Sequence, residues 1–378
     1  MDCNVILMIA GNMGIVHLFI GSRMPSLIAD HIIHRTPSVK WVFIALALFA
    51  GIISALVDNV ATVLMAAPVA IMAAKKLGIS PLAGILVISV SSNLQGAATL
   101  VGDATAIMLG SAAELDFLDF FFYRGKPGMF FVVQAGALLS GLALMIMFHK
   151  YKQKVKPEGS TVVDDYFPSF LLTAAIAMLI LASFIPGKPH ATNGLVCAAL
   201  LVIGLLRESL HSGNPVMTFR HAFMEIDFNT LALLAGLFLI IAGITEAGVV
   251  AAISRMFVKL SAGSLFAAYS LIVWASVLLY AFIDNIPYIA AMLPVVSGIA
   301  ALMAVDPSVL YFGLLAGATL GGKLSPIGAS ANVTAIGILR RSGYQVKAVD
   351  FMRIRILFTL TAVVSGYALI WLQWGAGQ

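Results

Sequence analysis

Asp58, Asp103 and Asp284 are carboxylates set inside apolar stretches, and Lys323 is a cation in the same kind of setting. An ionised side chain there costs about 2.5–3.5 kcal/mol on insertion scales, so its presence calls for a use: ion binding, proton coupling or a cap on a neighbouring helix. Asp58 and Asp284 are each followed by asparagine, and the surroundings repeat. Ala55-Leu-Val-Asp58-Asn59 reads again as Ala281-Phe-Ile-Asp284-Asn285, an offset of 226 residues that also carries Pro68 onto Pro294, Pro81 onto Pro307, Gly96 onto Gly322 and Gly102 onto Gly328. A duplicated Asp-Asn tip serves a cap as well as an ion site, and both readings stay open. Asp103 falls on Ala329 in the repeat, and that asymmetry favours a functional carboxylate. Asp103 and Lys323 are opposite charges on the two interrupted segments, a pair that opens as substrate or a proton arrives and so a candidate coupling device. Asn59, Thr62, Thr99, Thr105, Asn285, Ser325, Ser330 and Asn332 add hydroxyl and amide groups that suit a desolvated ion and equally suit the open backbone of a broken helix.

These groups need walls that exclude water. The chain is 61% hydrophobic and 10% charged with mean hydropathy +1.02, against about 25% charged for a soluble domain, so it is read as an all-α, multi-pass protein of the plasma membrane. Apolar runs of spanning length cover 4–21, 129–148, 168–185, 191–206, 228–245 and 351–372. The alternating ten-residue pattern of a barrel is missing. Cys3 and Cys197 lie in apolar segments and read as small core residues, not as a disulfide or metal framework. The N-terminus has neither a basic n-region nor a cleavage site, and no signal peptide is expected.

A net charge of +5 reads as a mark of the cytoplasmic side and not as nucleic-acid affinity. Lys75 and Lys76; Lys150, Lys152, Lys154 and Lys156; and Arg340, Arg341, Lys347, Arg353 and Arg355 form basic stretches that, placed inside, bring Arg23, Arg35, Lys40, Arg207 and Arg220 with them. Arg124, Lys126, Lys188, Arg255 and Lys259 then fall outside. As one helix, residues 41–74 would run to about 50 Å, well beyond a core of about 30 Å, yet basic residues bracket both ends. The segment is therefore read as a re-entrant hairpin turning at Asp58 and Asn59, with a partner hairpin over 265–304 entering from the other side. Residues 80–112 and 308–339 are each broken by a glycine-rich stretch and read as discontinuous helices, whose freed backbone must face protein or a watery cavity. The domain reading is two inverted repeats, 1–157 and 158–378, joined by a charged linker near 150–166. Trp41, Trp274, Trp371 and Trp374 read as interfacial anchors, His17 as a bundle contact, and 26–39 as an amphipathic stretch on the cytoplasmic interface. Paired, interrupted hydrophobic segments are the sequence mark of a secondary transporter.

At this point the motifs resemble a known group. Asp58-Asn-Val-Ala-Thr-Val-Leu-Met-Ala-Ala-Pro68 and Phe282-Ile-Asp-Asn-Ile-Pro-Tyr-Ile-Ala-Ala-Met-Leu-Pro294 are similar to the hairpin motifs of the ion transporter superfamily, in its branch of arsenite permeases, sodium/proton antiporters, pigment-cell P proteins and citrate transporters. Ala98-Thr-Leu-Val-Gly-Asp103 and Ile327-Gly-Ala-Ser-Ala-Asn332 resemble its broken-helix motifs. The resemblance implies a homodimer, each subunit a scaffold plus a transport unit that moves as an elevator. Against that pattern, two N-terminal scaffold helices are expected to be missing from the first repeat, Gly102-Asp-Ala-Thr105 stands where anion-carrying relatives usually have Pro-Pro-Asn after the Gly-Asp, and Lys323 stands where relatives commonly have Asn.

The leading functional expectation is secondary transport of a small ion, an inorganic or carboxylate anion, coupled to a proton or sodium gradient. Sodium/proton antiport is the alternative, and an intramembrane aspartyl protease is a distant one, disfavoured because Gly-x-Gly-Asp is absent. No cofactor is expected beyond a sodium ion, for which Asn59 and Asn285 are the candidate ligands. The expected partners are the transported ion and the lipid bilayer, with no nucleic acid.

Overall fold

Helices end where Asp, Asn, Ser, Pro and Gly interrupt the apolar runs, and those interruptions fall on the same positions in both halves. The computed structural model describes residues 3–76, 79–149, 153, 161–163, 165–212, 228–280, 282–321, 329–346 and 348–377. Lys323, Ser325 and the rest of 322–328 lie outside the described residues, as does most of the 150–166 linker.

The first half runs α1 (Cys3–Gly21), α2 (Met24–Arg35), α3 (Val39–Ser54), α4 (Asn59–Lys76), α5 (Leu82–Gln95), α6 (Ala104–Ala112) and α7 (Met129–Met147). Two helices follow, α8 (Phe167–Ser183) and α9 (Thr192–Ser212). Then come α10 (Phe228–Glu246), α11 (Val249–Leu260), α12 (Leu265–Leu279), α13 (Asn285–Met303), α14 (Ser308–Gly321), α15 (Ser330–Arg341) and α16 (Ala348–Ile370). The starts of α10 to α15 lie within one residue of those of α1 to α6 displaced by 226, so the offset that relates the motifs also relates the helices. Packing repeats with it: α3 lies along α5 as α12 lies along α14, while α4 and α13 flank those same broken helices. Pro68 and Pro294 sit at equivalent places inside α4 and α13.

Among the described residues, five helices are long and apolar enough to cross a membrane, or six if the bent α10–α11 pair is one span. That pair bends by 71°, and Gly248 at the bend takes φ +77°, a conformation a side chain would strain. Leu138, Ile146, Phe170 and Leu239 stand largely exposed on α7, α8 and α10, an outward apolar surface that requires lipid. This is a multi-pass integral membrane protein.

Some surface expectations need correcting. Trp374 is buried, its ring 4.7 Å from that of Phe312, so packing rather than interfacial anchoring holds it. Cys197 is buried as expected, whereas Cys3 is exposed. A short ribbon, Phe122–Tyr123 paired with Lys126–Pro127, was not anticipated and ties the first half to the second through Tyr123 Oη and Ser308 Oγ, 3.0 Å apart.

Candidate functional site

Helix is interrupted over residues 55–58, between α3 and α4, and Asp58 explains where it resumes. Its Oδ2 accepts from the backbone N–H groups of Val60 (2.9 Å) and Ala61 (3.2 Å), satisfying donors that the first turn of α4 would otherwise leave open. Asp284 does the corresponding work with one bond, its Oδ1 accepting from the N–H of Asn285 (2.9 Å). The capping reading of both carboxylates is realised. It does not remove them from the site, since Asp58 also lines the central cavity.

That cavity holds about 450 Å³ and is lined by residues from the first turns of four helices: Asn59, Val60 and Ala61 of α4, Ala104 of α6, Asn285 and Ile286 of α13, and Ser330 and Ala331 of α15. Each of these helices starts after a break in the helical run. Four N-termini bring the positive ends of four helix dipoles to one space, while the first N–H groups of α4 and α13 at Val60, Ala61, Asn285 and Ile286 are taken up by the side chains of Asp58, Asp284 and Asn285. The remaining wall is Asp58, Asp103, Asn93, Leu64 and a face of α1 formed by Met13, Val16, His17 and Ile20.

Asp103 is the carboxylate the two halves share. It is buried, at 5% exposure, and its Oδ2 accepts from Thr105 Oγ1 (2.9 Å) and from Asn285 Nδ2 (3.2 Å) of the opposite hairpin tip. Asn59 is held differently: its Oδ1 accepts from Ser54 Oγ (2.6 Å), while Ser92 Oγ bonds Ser54 Oγ (2.9 Å) and the Asn59 carbonyl (3.1 Å). The broken tip over 96–103 is fastened from both sides. Thr99 Oγ1 donates to the Ala55 carbonyl, and Asn12 Nδ2 of α1 donates to the Val101 carbonyl (3.1 Å).

Of the residues singled out in the sequence, Asp58, Asn59, Asp103, Asn285 and Ser330 line the cavity. Asp284 meets its edge through Ser330 Oγ, at 3.4 Å. Thr99, Thr105 and Asn332 are buried behind the wall, bonded to the Ala55 carbonyl, to Asp103 and to Ser89 and Asn93 respectively. Thr62 is buried, and its hydroxyl has no partner among the described residues. Ser325 and Lys323 lie outside the described residues, so the Asp103–Lys323 pair does too.

Two placements differ from expectation. His17 was read as a bundle contact, yet it lines the cavity. Arg355 was read with a basic cytoplasmic stretch, yet it is fully buried in α16. Its proximity in sequence to Arg353 hid that it lies well inside a helix whose apolar neighbours continue on both sides. Asn93 and Asn12 were also missed; each is a buried amide within an apolar helix, the only signal the sequence offered.

Comparisons with known proteins fit this geometry. The family model described as citrate transporter matches residues 1–317 and 215–375. An uncharacterized transporter of Mycobacterium bovis is 32% identical over 339 residues, covering 88% of this chain and 77% of its own length. The P protein of Homo sapiens is 25% identical over 397 residues, covering 82% of this chain and 46% of its own. Among solved structures, the YdaH transporter of Alcanivorax borkumensis, described as having an unusual topology, superposes with a TM-score of 0.67 at 14% identity over 97% of this chain and 84% of that one. That likeness is one of fold.

Proposed function

Because this chain belongs to the citrate transporter family, and so is a membrane transporter and not an enzyme, we propose that it moves a small inorganic or carboxylate anion coupled to a proton or sodium gradient. The observation that carries the reading is the meeting of four helix N-termini on one cavity. Converging dipole ends stabilise an anion at low reorganisation cost. Asp58 and Asp103 in the same wall would repel an uncompensated anion. A bound proton or sodium ion on those carboxylates removes the repulsion, which makes loading of the two ions interdependent and gives coupling a physical basis.

Sodium/proton antiport is the second reading, supported by one observation: the described lining holds two aspartates and neither lysine nor arginine. Proteoliposome flux with citrate, arsenite, sulfate, sodium and lithium under imposed pH gradients separates the two. Anion uptake that depends on the cation gradient is the expected result. Sodium movement against protons with every anion omitted would establish antiport instead.

The inverted arrangement, the elevator movement and the homodimer belong to the same proposal. If α3 and α4 form a re-entrant hairpin, cysteines introduced at Lys40 and Lys75 will react with a membrane-impermeant maleimide from one and the same side, the cytoplasmic one. Reaction from opposite sides would make 41–74 a span and end the inverted-repeat reading.

A further inference from the structure

We propose that Arg355 is a positioning residue that, acting through Asn332, turns the amide oxygen of Asn93 into the cavity, where that oxygen and Asp103 take the coupling cation as a sodium ion. The proposal rests on the transport reading for the word coupling, and on geometry for the site itself.

The chain of contacts has a fixed polarity. A guanidinium carries only donors, so whatever faces it must accept. Arg355 is fully buried, its guanidinium 4.0 Å from the Phe351 ring centre, and it donates through Nη1 to Asn332 Oδ1 and through Nη2 to Ser89 Oγ (2.6 Å) and the Leu86 carbonyl (3.3 Å). Asn332 is thereby held with its oxygen toward Arg355. The same oxygen accepts from Asn93 Nδ2 at 2.9 Å. Asn93 must then present its NH₂ to Asn332 and keep its carbonyl oxygen for the other edge; Asn93 lines the cavity, and that oxygen is not one of the fully enclosed unpaired atoms among the described residues. Asn93 is 5% exposed, and its Oδ1 has no donor among the described residues. An amide oxygen without a donor at the edge of a cavity is open to a ligand that needs an acceptor.

The position suits a cation. Asn93 sits in the last turn of α5, where the helix dipole ends in partial negative charge, and Asp103 opens α6 across the same break. Half-helix C-termini and unwound backbone are where transporters of this architecture hold sodium. By contrast, the amide oxygens expected from sequence to hold sodium each accept one hydrogen bond, that of Asn59 from Ser54 Oγ and that of Asn285 from the N–H of Ile286, whereas that of Asn93 accepts none among the described residues. The arrangement also divides the cavity sensibly: helix starts for the anion, one helix end with Asn93 and Asp103 for its counter-ion.

The test is sodium binding to the purified full-length protein in detergent, read as the rise in melting temperature when sodium replaces choline at constant ionic strength, with no gradient and no substrate. Wild type should be stabilised by sodium. Asn93→Ala and Arg355→Met should each raise the half-saturating sodium concentration about tenfold or more. Asn332→Asp, which keeps an acceptor for both Arg355 and Asn93, should stay within about threefold of wild type, whereas Asn332→Leu should match Asn93→Ala. The double variant Asn93→Ala/Arg355→Met should be no weaker than Asn93→Ala alone, since both act on one oxygen. Should Arg355→Met fail to fold, Arg355→Lys is expected to give an intermediate shift. No sodium-dependent stabilisation of wild type, or wild-type half-saturation in Asn93→Ala, overturns the proposal. If the sodium pattern appears but proteoliposomes move no anion, the site stands and the anion-transport reading falls.

Discussion

Asp103→Asn should leave a folded protein that barely transports, with flux reduced about 100-fold, the equivalent of roughly 3 kcal/mol and the scale of one charge-assisted contact. Folding should survive because the amide oxygen still has two lone pairs for the donors that reach Asp103 now, Thr105 Oγ1 and Asn285 Nδ2. What the change removes is the negative charge at a point where the first half's broken helix is hydrogen-bonded to the second half's hairpin tip. Asp58→Asn should cost less in flux and more in stability, because that carboxylate also caps α4 through Val60 and Ala61. The comparison needs counterflow measured beside thermal stability. Normal counterflow and an unchanged pH profile in Asp103→Asn would move the coupling role to Asp58 or Asp284.

Much of this arrangement was legible in the sequence because it is written in residues that apolar segments do not otherwise keep. The Asp-Asn tips, Pro68 with Pro294 and the shared offset located two pairs of helices with a break at the Asp-Asn, and α3, α4, α12 and α13 lie in the spans so inferred. The breaks were legible for the same reason, since glycines in a row free backbone that must be satisfied elsewhere. What escaped was contact between segments far apart in the chain. Arg355 looked like one more basic residue near a helix start, and only packing shows it reaching Ser89 and Leu86, 266 and 269 residues away. Asn93 carries no local sign of its orientation, because its polarity is inherited from Asn332 and, behind it, from Arg355. The bend between α10 and α11 escaped for a different reason: Gly248 is a glycine between two apolar stretches, and a glycine there is as compatible with a continuing helix as with a turn.

Gly102→Ala should damage both stability and flux. A Cβ at Gly102 would lie 2.8 Å from the Gly96 carbonyl oxygen, 2.9 Å from that of Ser54 and 3.0 Å from that of Ala55. All three are backbone atoms, so no side chain can swing aside; either the 96–103 tip or the end of α3 has to move. Overpacking of this kind costs about 1–3 kcal/mol and occasionally more. Here the displacement also reaches function, because the tip is fastened by Thr99 to Ala55 and by Asn12 to Val101, and Asp103 is the next residue along. Gly141→Ala is the matched control: it sits in α7 with nothing within 4 Å of the added carbon. The expected result is a lowered melting temperature and loss of flux for Gly102→Ala, with Gly141→Ala close to wild type in both. If Gly102→Ala keeps wild-type stability and flux, the tip is not held as closely against α3 as these distances require, and the cavity's wall at Asp103 is looser than the coupling argument needs.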